Sequence, residues 1–388
     1  MDNNKTIINE AQLAMSKKSI LQSLQRKVIN CSKKTISTIS QIIEAIFEKD
    51  TEAIKTISEK GIPDDPQMLR ALIWKINLGY LSLDNDNWEE YLKEKREKYL
   101  FYKTSFINLL KAEIANSNYQ SRKLLEDITK DVNRTHMGFS FFFQPVSKKK
   151  HFSKEELKTL YQQRQNCMIK DVKDIYKLDI EETHADVLAR ILYIYSKFTP
   201  DLLYHQGMNE ILAPIYYCFS YDKVYQEETE ETIEADTFWS FYLLMEQIRS
   251  SFDDADEKGT EFKAELLKKI LQVVDKEVYD RLVEYDVKFE FFAYRWFISF
   301  FSQDFQIGDI LRLWDLVFSH ENKYYYIFYV SIGILEYKKE KILKSEMSEI
   351  MMEMQSFEDV NVDRLIQLVR KIKEEYDSQI KQIIDEMN

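Results

Sequence analysis

The chain has 388 residues, 45% of them hydrophobic and 14% aromatic, which is enough apolar material for a large core in one extended domain or two smaller ones and excludes a disordered protein. Its 7 glycines and 5 prolines are too few for the repeated tight turns of a many-stranded sandwich or an α/β fold, so long helices joined by polar loops are expected. The formal net charge of −12 argues against a nucleic-acid binder, because neutralising phosphates requires a basic surface.

Residues 1–57 form a polar segment rich in Lys, Ser and Thr, interpreted as an accessory N-terminal extension. The segment lacks the basic start and continuous apolar core of a signal peptide. Its one apolar cluster, "ISTISQIIEAIF", predicts an isolated helix. The 3 cysteines of the chain have no CxxC spacing, which excludes a disulfide framework and a zinc site and fits a reducing cytosol.

The stretch "GIPDDPQMLRALIWKINLGY" predicts the next helix, with Asp65 as N-cap, Pro66 at the first helical position and Gly79 marking the end. Along the rest of the chain the apolar residues recur at helical spacing, and no strand-like alternation competes with it. Ser153 and Glu156 have the spacing of a capping box at the start of one of these helices. The predicted helices cover residues 86–115, 121–135, 154–166, 184–198, 207–219, 235–250, 260–284, 288–303, 308–319, 323–343 and 360–386. The sequence therefore predicts an all-α fold.

The longest apolar run, Tyr324 to Leu335, is too short to cross a bilayer, which needs about 20 residues. It predicts a buried helix.

An arginine stands on the outward side of the helix in "DITKDVNRTH", residues 127–136. Leu125, Ile128 and Val132 form an apolar stripe, Asp131 lies at its margin, and Arg134 lies about 135° from its centre. Alone, an outward arginine is best interpreted as a solvated surface charge.

A second unusual stretch is "TPDLLYHQGMNEILAPIYY", residues 199–217. Pro200 ends one helix, Gly207 permits a tight approach, and the next helical stripe begins at Met208. This pattern places Gln206 at a helix entrance, where the simplest interpretation is an ordinary loop residue.

The common catalytic motifs are absent from the chain. It has no GxxxxGK[ST] loop, no GxGxxG after a strand, no HExxH and no GxSxG, and its 5 histidines are scattered. A free-standing hydrolase is therefore not supported.

Four stretches together resemble a known family. "GIPDDPQMLRALIW", "ITKDVNRT", "YHQGMNEILAP" and "ILRLWD" occur in the order and rough spacing of the TBC domain, the helical catalytic domain of Rab GTPase-activating proteins. The resemblance covers residues 58–345, leaves 346–388 as a C-terminal helical segment packed on the domain, and implies a multi-helical fold with two helical subdomains.

The resemblance gives the two unusual residues a role. In the family's IxxDxxR motif the arginine is a finger that enters the Rab nucleotide site, and Ile128, Asp131 and Arg134 match it. The YxQGM motif supplies a glutamine finger, matched by Gln206. The residues expected to support these fingers are Asp131, Tyr204, Gly207 and Asn209. Whether Tyr204 contacts the Rab or packs beneath the loop, and whether Asn209 braces the loop or only starts a helix, stay open.

The resemblance also implies the partner. A GTP-bound Rab would carry the GTP and Mg²⁺, so no cofactor or metal is expected on this chain. The resemblance implies a cytoplasmic protein that acts in vesicle traffic. It would be recruited to endomembranes only through its partners. The alternatives are a non-catalytic Rab-binding scaffold with the same fold and a helical adaptor unrelated to GTPases. Both fingers being present argues against the scaffold.

The chain departs from the family after the arginine. Where the family often has Thr-x-Pro, this chain has His136 and Met137, so the geometry of that turn is not predicted. Residues 136–183 are interpreted as an insertion that selects the Rab. The remaining motif residues are expected to be structural: core residues Trp74, Trp296 and Trp314, and helix-tying residues Arg70, Arg295, Arg312 and Asp315.

Overall fold

The computed structural model describes residues 31–64, 68–136, 139–146, 182–221, 229–249, 252 and 259–387. These ranges contain sixteen α-helices, one short 3₁₀ helix at Ser140–Phe143 and no strand, only an isolated bridge between Pro145 and Thr183. The all-α prediction is confirmed for the part of the chain described. The predicted caps Asp65, Pro66, Ser153 and Glu156 and the predicted helix 154–166 lie outside it.

The first of two compact units takes in Ile62–Leu244 and the described part of Met1–Ser58. Its helices are α1 Lys33–Glu48, α2 Thr51–Glu59, α3 Met68–Asn77, α4 Trp88–Ala115, α5 Tyr119–Val132, α6 His184–Phe198, α7 Met208–Tyr221 and α8 Glu230–Ile248, the last residues of α2 and α8 belonging to the second unit. Helix α6 packs against α4, α5 and α7, and α5 also contacts α7. The unit therefore brings the end of α5 and the start of α7, which carry the two sequence motifs, onto one helical frame.

The second unit takes in Glu59–Gly61 and Met245–Asn388. Its helices are α9 Gly259–Val274, α10 Lys276–Glu284, α11 Glu290–Ser299, α12 Ile307–Phe318, α13 Lys323–Tyr337, α14 Lys339–Lys344, α15 Met347–Glu353 and α16 Val362–Met387. Helix α16 packs on α9, α12 and α13. At Gly333 of α13 an added Cβ would lie 2.6 Å from Val369 Cγ2 of α16, so only glycine permits this close approach.

The apolar run from Tyr324 to Leu335 lies within α13 and is buried, as predicted. Within the described residues, none of the helices combines the length and the apolar character of a membrane span. Trp74, Trp296 and Trp314 are fully buried, which confirms that they belong to the core.

The N-terminal helix is not isolated, contrary to the prediction. Ile39, Ile42 and Ile46 of α1 are buried, and Lys49 after its end forms an ion pair with Asp86 at 3.2 Å. The described part of residues 1–57 thus packs as part of the first unit.

Two buried acidic residues of α8 form ion pairs and hydrogen bonds with other helices of the first unit. Asp236 accepts hydrogen bonds from Lys75 Nζ at 2.6 Å, from Tyr80 Oη at 2.8 Å and from Arg96 Nη2 at 2.7 Å.

The second acid, Glu234, accepts a hydrogen bond from Arg190 Nε at 2.7 Å. Burial alone would raise the pKa of Glu234, but the neighbouring cations, chiefly Arg190, hold it at about 2. Both acids therefore stay ionised and tie α8 to α3, α4 and α6.

The arginines of the remaining motifs make mostly local ties. Arg70 donates to the Ile62 carbonyl at 2.9 Å and pairs with Asp64, so it holds the segment before α3. Arg295 pairs with Asp304, just beyond the end of α11. The expected tie between helices is seen at Arg312 of α12, which pairs with Asp363 of α16.

Candidate functional site

Arg134 lies in the turn that follows α5. The helix ends at Val132, three residues earlier than predicted, because the chain tightens there: the Arg134 N–H donates to the Asp131 carbonyl at 3.0 Å. The Arg134 side chain is 59% exposed. Its Nη2 donates to Asp131 Oδ1 at 2.6 Å and its Nε to the Lys130 carbonyl at 3.3 Å, and the guanidinium makes no other hydrogen bond to the described residues. Most of its donors therefore face solvent.

Gln206 lies in the turn just before α7, at the helix entrance as predicted. Gly207 has φ +109°, a left-handed value that favours glycine, which is why the chain can turn sharply into Met208. The Gln206 side chain is exposed and its carboxamide makes no hydrogen bond to the part of the chain described. It is therefore available to a partner.

One carboxylate connects the arginine turn to the glutamine loop. Asp131, which is 8% exposed, accepts from Arg134 with Oδ1 and from the Tyr204 hydroxyl with Oδ2 at 2.8 Å. Burial and the Asp131 charge raise the pKa of Tyr204, so its hydroxyl keeps its proton and remains a donor. We call this arrangement of Arg134, Asp131 and Tyr204 the Asp131 link. It directs the Tyr204 hydroxyl toward the arginine turn, while the residue stays half-buried.

Asn209 makes a second connection. Its Oδ1 accepts the Gly207 N–H at 3.1 Å, and its Nδ2 donates to the Thr135 hydroxyl at 2.8 Å. Thr135, fully buried, donates in turn to the Asp131 carbonyl at 3.1 Å. Asn209 therefore braces the glutamine loop and also joins it to the residue that follows Arg134. The sequence motifs did not single out Thr135.

His136 completes the arginine turn in an unusual conformation. Its φ is +45°, its ring stacks on Phe142 with centroids 6.1 Å apart, and its Nε2 lies 4.0 Å from Glu210 Oε2. Burial lowers the pKa of His136 to about 4, so the ring is neutral at physiological pH. His136 thus packs the turn against the start of α7, and Met137 lies outside the described residues.

The turn that carries the exposed Arg134 and the loop that carries the exposed Gln206 are therefore joined by two sets of hydrogen bonds, through Asp131 and through Asn209. No cluster of His, Cys, Asp or Glu suited to a metal ion occurs within the described residues.

Comparison with known proteins gives the family. The Rab-GTPase-TBC domain profile matches residues 143–343, which include the glutamine loop and not Arg134. TBC1 domain family member 13 of Homo sapiens is 29% identical over 382 residues, covering 84% of this chain and 94% of that protein. GTPase-activating protein GYP1 of Saccharomyces cerevisiae is 23% identical over 338 residues, covering 78% of this chain and 46% of that protein.

A solved structure agrees on the fold. The Ypt/Rab-GAP domain of Gyp1p superimposes with a TM-score of 0.65 at 21% identity, covering 87% of this chain and 96% of that one. Because the profile match spans more than half of the 388 residues, the chain belongs to the Rab-GTPase-TBC domain family.

Proposed function

We propose that this protein accelerates GTP hydrolysis by a Rab-family GTPase, with Arg134 and Gln206 inserted in trans into the partner's nucleotide site. The Asp131 link carries the proposal, because one buried carboxylate bonds both to the arginine and to the loop that presents the glutamine. A relative whose name states GTPase activation, GYP1, supports the reaction class. Acting on a membrane-borne Rab would give the protein a role in vesicle traffic.

In this proposal Arg134 stabilises the negative charge of the transition state. Phosphoryl transfer from GTP passes through a loose transition state with charge spread over the transferred group and the leaving oxygens, so a fixed cation stabilises it. A guanidinium stays charged, donates in a planar fork and loses its hydration more readily than an ammonium. Of the five N–H donors of Arg134, two are used by Asp131 and the Lys130 carbonyl, which leaves the others for phosphate oxygens.

In this proposal Gln206 orients the attacking water. A carboxamide accepts from the attacking water with its oxygen and donates with its nitrogen, without adding negative charge beside the phosphate. Gln206 is exposed, and its carboxamide makes no hydrogen bond to the described residues. The GTP and Mg²⁺ belong to the partner in this proposal.

The geometry beneath the fingers matters because this catalyst works by placement. A misplacement of about 1 Å can cost about a hundredfold in rate. The Asp131 link and the Asn209–Thr135 bond connect the turn that carries Arg134 to the loop that carries Gln206 through buried groups. Asp131, Tyr204 and Asn209 are therefore proposed as positioning residues, and Gly207 as the residue that permits the turn.

The test is stimulated GTP hydrolysis across a panel of purified Rabs. We expect Arg134→Ala to lose a factor of about 10³ to 10⁵ in rate on the responsive Rab, roughly 4 to 7 kcal/mol of transition-state stabilisation, and Arg134→Lys to be nearly as poor. The control is Arg122→Ala, an exposed arginine near the other end of α5, which should keep full activity.

Melting temperatures separate the outcomes. Arg134→Ala removes one donor from the buried Asp131 carboxylate, so its melting temperature should fall slightly while the protein stays folded at the assay temperature. Arg134→Lys keeps a cation beside Asp131 and should melt closer to the wild type. An Arg134→Ala protein as active as the wild type would overturn the finger. A wild-type protein that binds GTP-loaded Rabs and stimulates none would instead favour the scaffold.

A further inference from the structure

The glutamine loop carries a large apolar side chain turned to solvent. Leu203 is 61% exposed, whereas its neighbour Leu202 is 3% exposed. The loop backbone on both sides is held: the Leu202 N–H donates to the Thr199 carbonyl at 3.0 Å, and His205 Nδ1 donates to the Leu203 carbonyl at 2.7 Å. These bonds restrain the backbone on both sides of Leu203, whose side chain is exposed.

A single exposed leucine usually needs no explanation, but the position of this one sets it apart. Three peptide units separate Leu203 from Gln206, so their Cα atoms lie at most about 11 Å apart. A protein interface of standard size covers about 800 Å² on each partner, equivalent to a disc with a radius of about 16 Å. An interface of this size that is centred near Gln206 therefore covers Leu203 as well.

We infer that Leu203 is a docking residue for the GTPase, buried on complex formation against an apolar patch that lies beside the partner's nucleotide site. This inference rests on the proposed function. An apolar partner surface fits because a polar surface placed over Leu203 would lose water contacts without gaining a bond from the leucine. Leu203 contributes to binding and takes no part in the chemistry, since its side chain has no donor, acceptor or charge.

The test separates binding from chemistry. With the responsive GTPase, we expect Leu203→Ser to raise KM about tenfold, as burial of a leucine side chain is lost, while kcat stays within twofold. Leu203→Met keeps the apolar volume and should restore KM to near the wild-type value. The dissociation constant for the GTPase loaded with a non-hydrolysable GTP analogue should follow KM.

The matched control is Tyr119→Ser. Tyr119 is 74% exposed and begins α5, about 20 Å from Arg134 at 1.5 Å per residue, beyond the expected interface radius. Both KM and kcat should be unchanged in this variant.

The variants give different results if the docking inference fails and if the proposed function fails. If Leu203→Ser keeps the wild-type KM and dissociation constant while Arg134→Ala and Gln206→Ala are inactive, the fingers stand and the docking inference is overturned. If Leu203→Ser loses binding while both finger variants stay fully active, the docking surface stands and the catalytic proposal fails. A drop in kcat alone for Leu203→Ser, with KM unchanged, also overturns the inference.

Discussion

The hydroxyl of Tyr204 is the point where the two halves of the proposed site meet. Replacing it in Tyr204→Phe removes the donor to Asp131 Oδ2 and frees both the loop and the carboxylate that holds Arg134. We expect kcat to fall about tenfold to a hundredfold with little change in KM, because the fingers lose placement. Leaving a buried carboxylate oxygen without its donor should cost about 1 to 3 kcal/mol of unfolding free energy.

A matched control separates placement from general stability. The Tyr329 hydroxyl donates to Asp377 at 2.8 Å in the second unit, the same kind of bond far along the chain from the fingers. Tyr329→Phe should lower the unfolding free energy and leave kcat unchanged. Equal losses of kcat in the two variants would mean that Tyr204 acts only through stability.

Sequence reasoning reached some of these residues and not others. Arg134 and Gln206 were proposed because each matches a family motif, whereas the local pattern alone favours a surface charge and a loop residue. Thr135 was missed, since a threonine after the arginine has no distinguishing pattern and its bond to Asn209 joins residues 74 positions apart. The bond between the Tyr204 hydroxyl and Asp131, 73 positions apart, likewise could not be predicted from local sequence.

Helix α8 gives the prediction that belongs to the scale of elements. In Asp236→Ala, the buried Lys75 loses its ion pair with Asp236, and Arg96 loses the bonds that its Nε and Nη2 donate to that carboxylate. Breaking a buried ion pair from one side costs about 3 to 5 kcal/mol, because the cation stays buried after losing that carboxylate. We expect the free energy of unfolding, measured by urea titration, to fall by about that amount.

The comparison variant is Glu94→Ala, which removes an exposed ion pair with Lys98 on α4. Its unfolding free energy should be essentially unchanged, since solvent screens such pairs. If Asp236→Ala is no less stable than Glu94→Ala, the acids of α8 do not hold the first unit together.

The boundaries of elements were less predictable than their existence. One predicted helix, 260–284, is two, because Asp275 caps α10 by accepting from the Val278 N–H at 3.1 Å. The apolar spacing runs through this break, so periodicity alone misses it. The predicted helix 323–343 is also two, and Lys338 at the break donates to the Ser356 carbonyl at 2.6 Å, a tertiary contact that local sequence cannot reveal.

At the scale of the whole molecule, the proposed function raises the question of which glutamine orients the attacking water. It is either Gln206 or a glutamine of the GTPase itself, of the kind that orients the water in Ras. If Gln206 orients the water in trans, Gln206→Ala should abolish most stimulation while binding and melting temperature persist, since an exposed carboxamide contributes little to the fold. A Rab whose own glutamine is changed to alanine should still respond, at least partly, to the intact protein. Single-turnover phosphate release with both variants measures this. The opposite pattern, a fully active Gln206→Ala protein and an unresponsive Rab variant, would mean that the partner's glutamine positions the water. Arg134 would then be the one catalytic group that this chain supplies, because its role in neutralising charge does not depend on which glutamine holds the water.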